Sequence, residues 1–215
     1  MKITQEMKDA WIQTYTGKMV RIFDFDESQV CIEDIAHALS RQCRFGGHCR
    51  PFYSVAEHSV RVYNLMTSMY NSLGTINCYT KFFALMHDAA EAYLGDMPRP
   101  IKKVCPWYGE IEENVMQVIL LEFKIEHYSD VNKFFVDRDL VQLADDILLV
   151  TERRDLMTLT NENWGMARTV LPLQNTIIPY CPDEAKRLFL DIFYSREISN
   201  IHGAKDSVLF KSLYK

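Results

Sequence analysis

Three separate apolar segments of this chain each place a metal-competent side chain on the face that should be buried. His58 lies three residues after Val55 and four before Val62, so the three share one helical stripe. His87 directly follows Phe82-Phe83-Ala84-Leu85-Met86, and Asp88 follows it. Asp145 lies between Val141 and Leu148-Leu149, with Asp146 adjacent, and periodicity alone does not choose between the two carboxylates. Taken singly, each has an ordinary explanation. A lone histidine in a core is usually hydrogen-bonded, a His-Asp pair is common by chance, and Asp145 has Arg153 and Arg154 as alternative partners. Burying all of them unpaired is costly. One cation shared by the three segments relieves that cost at once, which constrains the chain to a fold where these helices converge.

The rest of the pattern is helical. Apolar residues recur at helical spacing over 32–44 (Ile32, Ile35, Ala36, Leu39) and 54–70. A mostly apolar run over 79–94 predicts a central helix, stopped by Gly95. Prolines 98, 100 and 106 predict a rigid loop over 96–106. Helices are further expected over 110–123, 138–157 and 183–198, the last with Asp183 as N-cap. The segment 161–182 reads as irregular, and the best strand signal is a short alternating run at 19–25. Without a repeat or a Pro/Gly-rich linker, residues 1–215 read as one all-α domain, a helical bundle around a central metal site.

Net charge is −5, which argues against wrapping a long nucleic acid. A small anionic substrate remains compatible, because a bound cation and a few arginines invert the local field. The six cysteines form no C-x-x-C pair, and Cys43, Cys49 and His48 lack the second pair a zinc site needs. Residues 1–15 contain no continuous apolar stretch, and no run approaches the ~20 apolar residues of a membrane span. Free thiols in a reducing cytoplasm, with no membrane partner, are therefore expected.

Two imidazoles and two carboxylates suit Mn, Co, Fe, Ni or Zn better than Ca or Mg. Five- or six-coordination leaves room for water and a phosphate oxygen. Glu91, four residues after His87, would share its face and handle protons. Arg44 precedes Phe45-Gly46-Gly47, where glycines allow close backbone approach and the arginine fork suits phosphate. The stiff loop Gly95-Asp96-Met97-Pro98-Arg99-Pro100-Ile101-Lys102-Lys103 would hold Asp96, Arg99 and Lys102 over the site. His48 would either reach phosphate or serve structure, and His37 reads as structural.

The ordered set His58, His87-Asp88 and Asp145 resembles the H…HD…D signature of the HD phosphohydrolase superfamily. The strings Ser54-Val55-Ala56-Glu57-His58-Ser59 and His87-Asp88-Ala89-Ala90-Glu91-Ala92-Tyr93-Leu94-Gly95-Asp96-Met97-Pro98-Arg99-Pro100-Ile101-Lys102 resemble the YfbR-type 5'-deoxynucleotidases and related phage enzymes that hydrolyse dATP. The phage and prophage branch is the nearer resemblance, through Ile32-Glu33-Asp34-Ile35-Ala36-His37-Ala38-Leu39-Ser40, Cys43-Arg44-Phe45-Gly46-Gly47-His48 and Thr151-Glu152-Arg153-Arg154-Asp155-Leu156. The likeness runs over about 14–156, and the domain core over about 14–198, with short extensions at either end.

The resemblance implies metal ligation by His58, His87, Asp88 and Asp145, the last preferred to Asp146 because the family pattern is Ala-Asp. It implies Glu91 as the catalytic carboxylate, Arg44 as the phosphate-orienting arginine, and Asp96 with its loop as nucleotide contacts; in catalysis Glu91 or Asp96 would handle protons, Asp96 binding the sugar 3'-hydroxyl in the other case. Well-known members carry a tryptophan after the arginine, which packs on the sugar and helps select 2'-deoxyribose. Here Phe45 stands there, a smaller ring without an N–H. The expected activity is metal-dependent 5'-phosphomonoester hydrolysis of deoxyribonucleoside monophosphates. The alternatives are a dATP-type triphosphohydrolase, with Arg99, Lys102 and Lys103 on the extra phosphates, or a non-catalytic nucleotide-binding HD protein. Family members are often homodimers or higher homo-oligomers.

Overall fold

The computed structural model describes residues 3–71, 76–123, 131–162, 164–165, 169–195 and 198, and it is mostly helical. The expected C-terminal extension, residues 199–215, lies outside the described residues. The N-terminal segment forms α1 (Gln5–Asp9), capped by Thr4, whose hydroxyl accepts from the Met7 N–H. A minimal antiparallel hairpin follows, pairing β1 (Ile12–Gln13) with β2 (Met19–Val20). The strand signal at 19–25 is therefore realised only in its first two residues; Ile22–Asp24 coil into a 3-10 turn.

The helices α2 (Ile32–Arg41), α3 (Val55–Asn71), α4 (Cys78–Met86), α5 (Glu91–Leu94), α6 (Arg99–Lys102), α7 (Pro106–Glu122), α8 (Val131–Leu156) and α9 (Pro182–Phe193) build the body. Helix α3 is the hub and packs against α2, α4, α8 and α9. The stripe Ile35, Ala36 and Leu39 buries the inner face of α2. Phe82, Phe189, Phe193, Ile119 and Leu85 fill the main core. A second cluster, with Val62, Met66, Ala84, Val141, Ala144 and Leu148, zips α3 and α4 onto α8. Truncating one such large side chain to alanine typically costs about 2–5 kcal/mol.

The single helix expected over 79–94 is broken, and the break falls at the site. Asn77 caps α4, its Oδ1 accepting from the Thr80 N–H at 2.8 Å. After Met86 the ladder tightens: Ala89 N–H bonds to Met86 O at 2.8 Å and Glu91 N–H to Asp88 O at 3.0 Å, both i to i−3. Across this turn the side chains of His87 and Asp88, though adjacent in sequence, meet: His87 Nε2 lies 3.3 Å from Asp88 Oδ2. Gly95 ends α5 with φ +87°, as its sequence position implies.

Other boundaries also moved. The proline-rich loop holds one helical turn, α6, and α7 starts at Pro106 rather than 110, because proline at the first helical position sacrifices no hydrogen bond. The same preference moves the start of α9 to Pro182, so Cys181 is its N-cap; Asp183 lies in the first turn and pairs with Arg41 at 2.7 Å. That helix ends at Phe193 rather than 198. Residues 161–181 lack regular structure where described, and the irregular reading of 161–182 fails only at its last residue. Among the described residues no helix is long and apolar enough to cross a membrane.

Candidate metal centre

His58, from the first turns of α3, is completely buried. Its Nδ1 lies 2.6 Å from Glu152 Oε1. Its Nε2 lies 3.2 Å from Asp145 Oδ1 and 3.8 Å from Asp88 Oδ2. His87 closes α4, with Nδ1 2.9 Å from the Ala84 carbonyl and Nε2 3.3 Å from Asp88 Oδ2. In both rings Nδ1 faces an acceptor, which assigns the proton of the neutral ring there and leaves Nε2 as a lone pair. Both Nε2 atoms are buried and neither makes an aligned hydrogen bond. One ligand atom each from His58, His87 and Asp88 lies within 4.8 Å of the others, a group able to hold a metal ion. Two orphaned imidazole nitrogens facing one carboxylate fit a divalent transition ion.

Asp145 flanks this triplet. It is Asp145, not Asp146, that reaches His58; its other oxygen accepts from Arg99 and, at 3.1 Å, from the Gln142 amide. Asp146 accepts from Gln142 at 3.1 Å and Arg99 at 3.5 Å.

Charge is concentrated here. Burial opposes ionisation of Asp88, but His87, His58 and Arg44 outweigh it and hold its carboxyl far below the usual range. Asp145 is depressed in the same way, with His58 and Arg99 outweighing burial. Burial and Arg44 disfavour protonation of His58, yet Glu152 and Asp145 prevail and raise its pKa to about 9. Glu91 goes the other way: burial, with Asp88 and Asp96 nearby, pushes its carboxyl well above the ordinary value. Asp96 is raised too, chiefly by burial.

The remaining residues singled out from the sequence divide. Arg44 is buried beside the triplet, donating from Nη1 to Asp88 at 3.4 Å and from Nε to Glu152 at 3.2 Å. Glu91 is buried, and its Oε2 has no hydrogen-bond partner. Phe45 is half-buried under the Arg44 guanidinium, 5.5 Å from its ring centroid. His48 is exposed. Arg99 pairs with Asp145 and Asp146, and Lys102 with Glu112 at 2.6 Å and Glu91 at 3.7 Å. Those two cations thus neutralise carboxylates around the site.

Two contributors were not singled out. Glu152, quoted above only within a string of the resemblance, is fully buried and also accepts from the Tyr53 hydroxyl at 2.9 Å. The available signal was its spacing: it stands two helical turns after Asp145, on the same face of α8. Trp164, in the irregular segment, packs its ring 5.9 Å from Phe45 and carries Arg153 over its face. No periodicity announced it.

Comparison with known proteins adds kinship. The chain is 33% identical to Escherichia coli K12 YfdR, an uncharacterized protein, over 185 residues that span 86% of this chain and 94% of YfdR. The chain belongs to the YfdR family. A second relative of the YfdR-family chain, an uncharacterized protein of Rhodobacter capsulatus, is 34% identical over 120 residues, 54% of this chain and 60% of that protein. No family model matches the sequence.

Proposed function

We propose that this YfdR-family chain is an HD-type, metal-dependent phosphohydrolase that cleaves the 5'-phosphomonoester of deoxyribonucleoside monophosphates. The observation that carries the reading is the pair of buried Nε2 atoms on His58 and His87, neither in an aligned hydrogen bond, facing Asp88 with the Arg44 guanidinium alongside. His58, His87 and Asp88, with Asp145 at the flank, would hold a divalent ion, which would supply Lewis-acid charge neutralisation and lower the pKa of a water there. Around the triplet the carboxylates of Asp88, Asp145, Asp146 and Glu152 outnumber the Arg44 and Arg99 that pair with them, so an anionic substrate needs that extra positive charge to enter.

Arg44 grips the phosphate and offsets the charge that develops on it. Glu91, whose carboxyl burial and the neighbouring Asp88 and Asp96 push well above the ordinary value, is the group suited to give a proton to the leaving sugar oxygen. Phe45, backed by Trp164, offers an aromatic wall to the nucleoside. The monophosphate is favoured over the triphosphate because Arg99 and Lys102, the cations nearest to hand for further phosphates, are engaged by Asp145, Asp146 and Glu112.

Metal-stripped protein supplemented with Mn2+ or Co2+ tests this on a panel of NMPs, dNMPs and dNTPs with product identification. Inorganic phosphate and a nucleoside from dNMPs are expected. Triphosphate release from dATP replaces the monophosphate reading, and no turnover with any metal leaves a nucleotide-binding protein without catalysis.

A further inference from the structure

Glu152 is sealed inside the fold, yet the hydrolysis outlined above gives it no task. Three donors converge on it. Oε1 takes His58 Nδ1 at 2.6 Å and the Tyr53 hydroxyl at 2.9 Å, while Oε2 takes Arg44 Nε at 3.2 Å. We propose that Glu152 is a positioning residue that sets the metal-facing imidazole of His58 and the phosphate-facing guanidinium of Arg44 in a single register. The inference rests on the metal reading and adds a residue to it.

The chemistry of the carboxylate makes the argument. An ionised carboxylate only accepts, so each group against it must present a hydrogen. His58 must then carry its proton on Nδ1, which turns the Nε2 lone pair toward His87 and Asp88. Arg44 must present Nε, which leaves Nη1 beside Asp88. The two oxygens of one side chain are thereby divided between the metal side and the phosphate side. Helix α8 supplies the lever: Asp145 faces Nε2 of His58 from one side, and Glu152 faces Nδ1 from the other. With Nδ1 hydrogen-bonded to Glu152 and Nε2 facing Asp145 at 3.2 Å, the ring cannot rotate without moving away from that helix. Glutamine in place of Glu152 keeps the shape but has one acceptor oxygen, so it cannot serve His58 and Arg44 together. A group that only stabilised the fold would affect melting alone.

Glu152→Gln tests this, with Co2+ affinity read by calorimetry and visible absorption, and KM for a dNMP read at saturating Co2+. About 10–100-fold weaker Co2+ binding is expected, together with a raised KM that excess metal does not restore. Wild-type affinity and KM in a folded variant would overturn the positioning role and leave the metal reading standing. Absence of Co2+ binding by the wild-type protein removes both. Should the variant fail to fold, wild-type protein loaded with Zn2+ decides: long-range 1H–15N spectra should show His58 protonated at Nδ1 and metallated at Nε2, and the reverse pattern would overturn the assignment.

Discussion

The imidazoles of His58 and His87 arrive from different helices and stand 5.3 Å apart between ring centroids, with both Nε2 atoms buried and without an aligned hydrogen bond. Asp88 is the carboxylate within reach of both, at 3.8 and 3.3 Å. Asp88→Ala should therefore abolish Mn2+ or Co2+ binding and turnover together. Its side chain is about one-fifth exposed, so the variant should still fold. Calorimetry and a phosphate-release assay check this; retained turnover on dNMP and dNTP would dismiss the site.

Proton and metal compete for His58, and the sign of that competition is fixed. Its folded pKa of about 9 lies above the ordinary 6.5. In metal-free protein the protonated ring contributes stability that is fully present below pH 6.5 and lost as pH rises through 9. A metal needs the neutral ring, so its stabilising effect grows over the same window. The difference in Tm between metal-loaded and chelated protein should widen from pH 6.5 to pH 9. A constant difference in paired melting curves would show that His58 does not bind the metal.

Arg44→Ala should reduce kcat/KM on dNMPs by at least 100-fold, about 2.7 kcal/mol of transition-state stabilisation. Metal should still bind, because Arg44 is no ligand. The structure adds a cost invisible in the sequence: Arg44 is buried against Glu152, so its removal strips a partner from a buried carboxylate. Breaking such a pair costs roughly 3–5 kcal/mol at most, less here because His58 and Tyr53 remain on Glu152. Denaturant melts and steady-state kinetics separate the two effects, and wild-type kinetics would remove Arg44 from phosphate binding.

What the sequence disclosed was what repeats or punctuates. Helical spacing placed α2 and α3 close to their observed bounds, and the polar interruptions His58, His87 and Asp88 marked the triplet. What it hid was set by tertiary contact. The break after Met86 has no proline or glycine to signal it, since the run 82–94 is uniformly helix-compatible. Glu152 stands in a charged run with Arg153, Arg154 and Asp155 that gives no sign of burial, yet its phase on α8 points inward. Arg99 and Lys102 looked free for substrate, because nothing local showed that Asp145 and Glu112 would meet them. Periodicity did not separate Asp145 from Asp146; the Ala-Asp pattern of the resemblance chose Asp145, and Asp145 is the one within 3.2 Å of His58.

Gly95 joins the helix that follows the His87-Asp88 turn to the loop carrying Asp96. Its φ of +87° and ψ of 153° fall where essentially only glycine rests without strain. No heavy atom lies within 4 Å of where a Cβ would stand, so Gly95→Ala meets a backbone cost alone. That cost is about 1–3 kcal/mol, and a chain of this size loses about 2–4 °C of Tm per kcal/mol. The strain should relax locally, but Tyr108 anchors the Gly95 carbonyl at 2.8 Å and limits how far the loop can turn. Asp96 should therefore shift while the triplet stays in place. Gly95→Ala is expected to lower Tm and raise KM for dNMPs while Co2+ affinity stays at the wild-type value. An equal loss of metal affinity would mean that the loop and the metal centre are one mechanical unit.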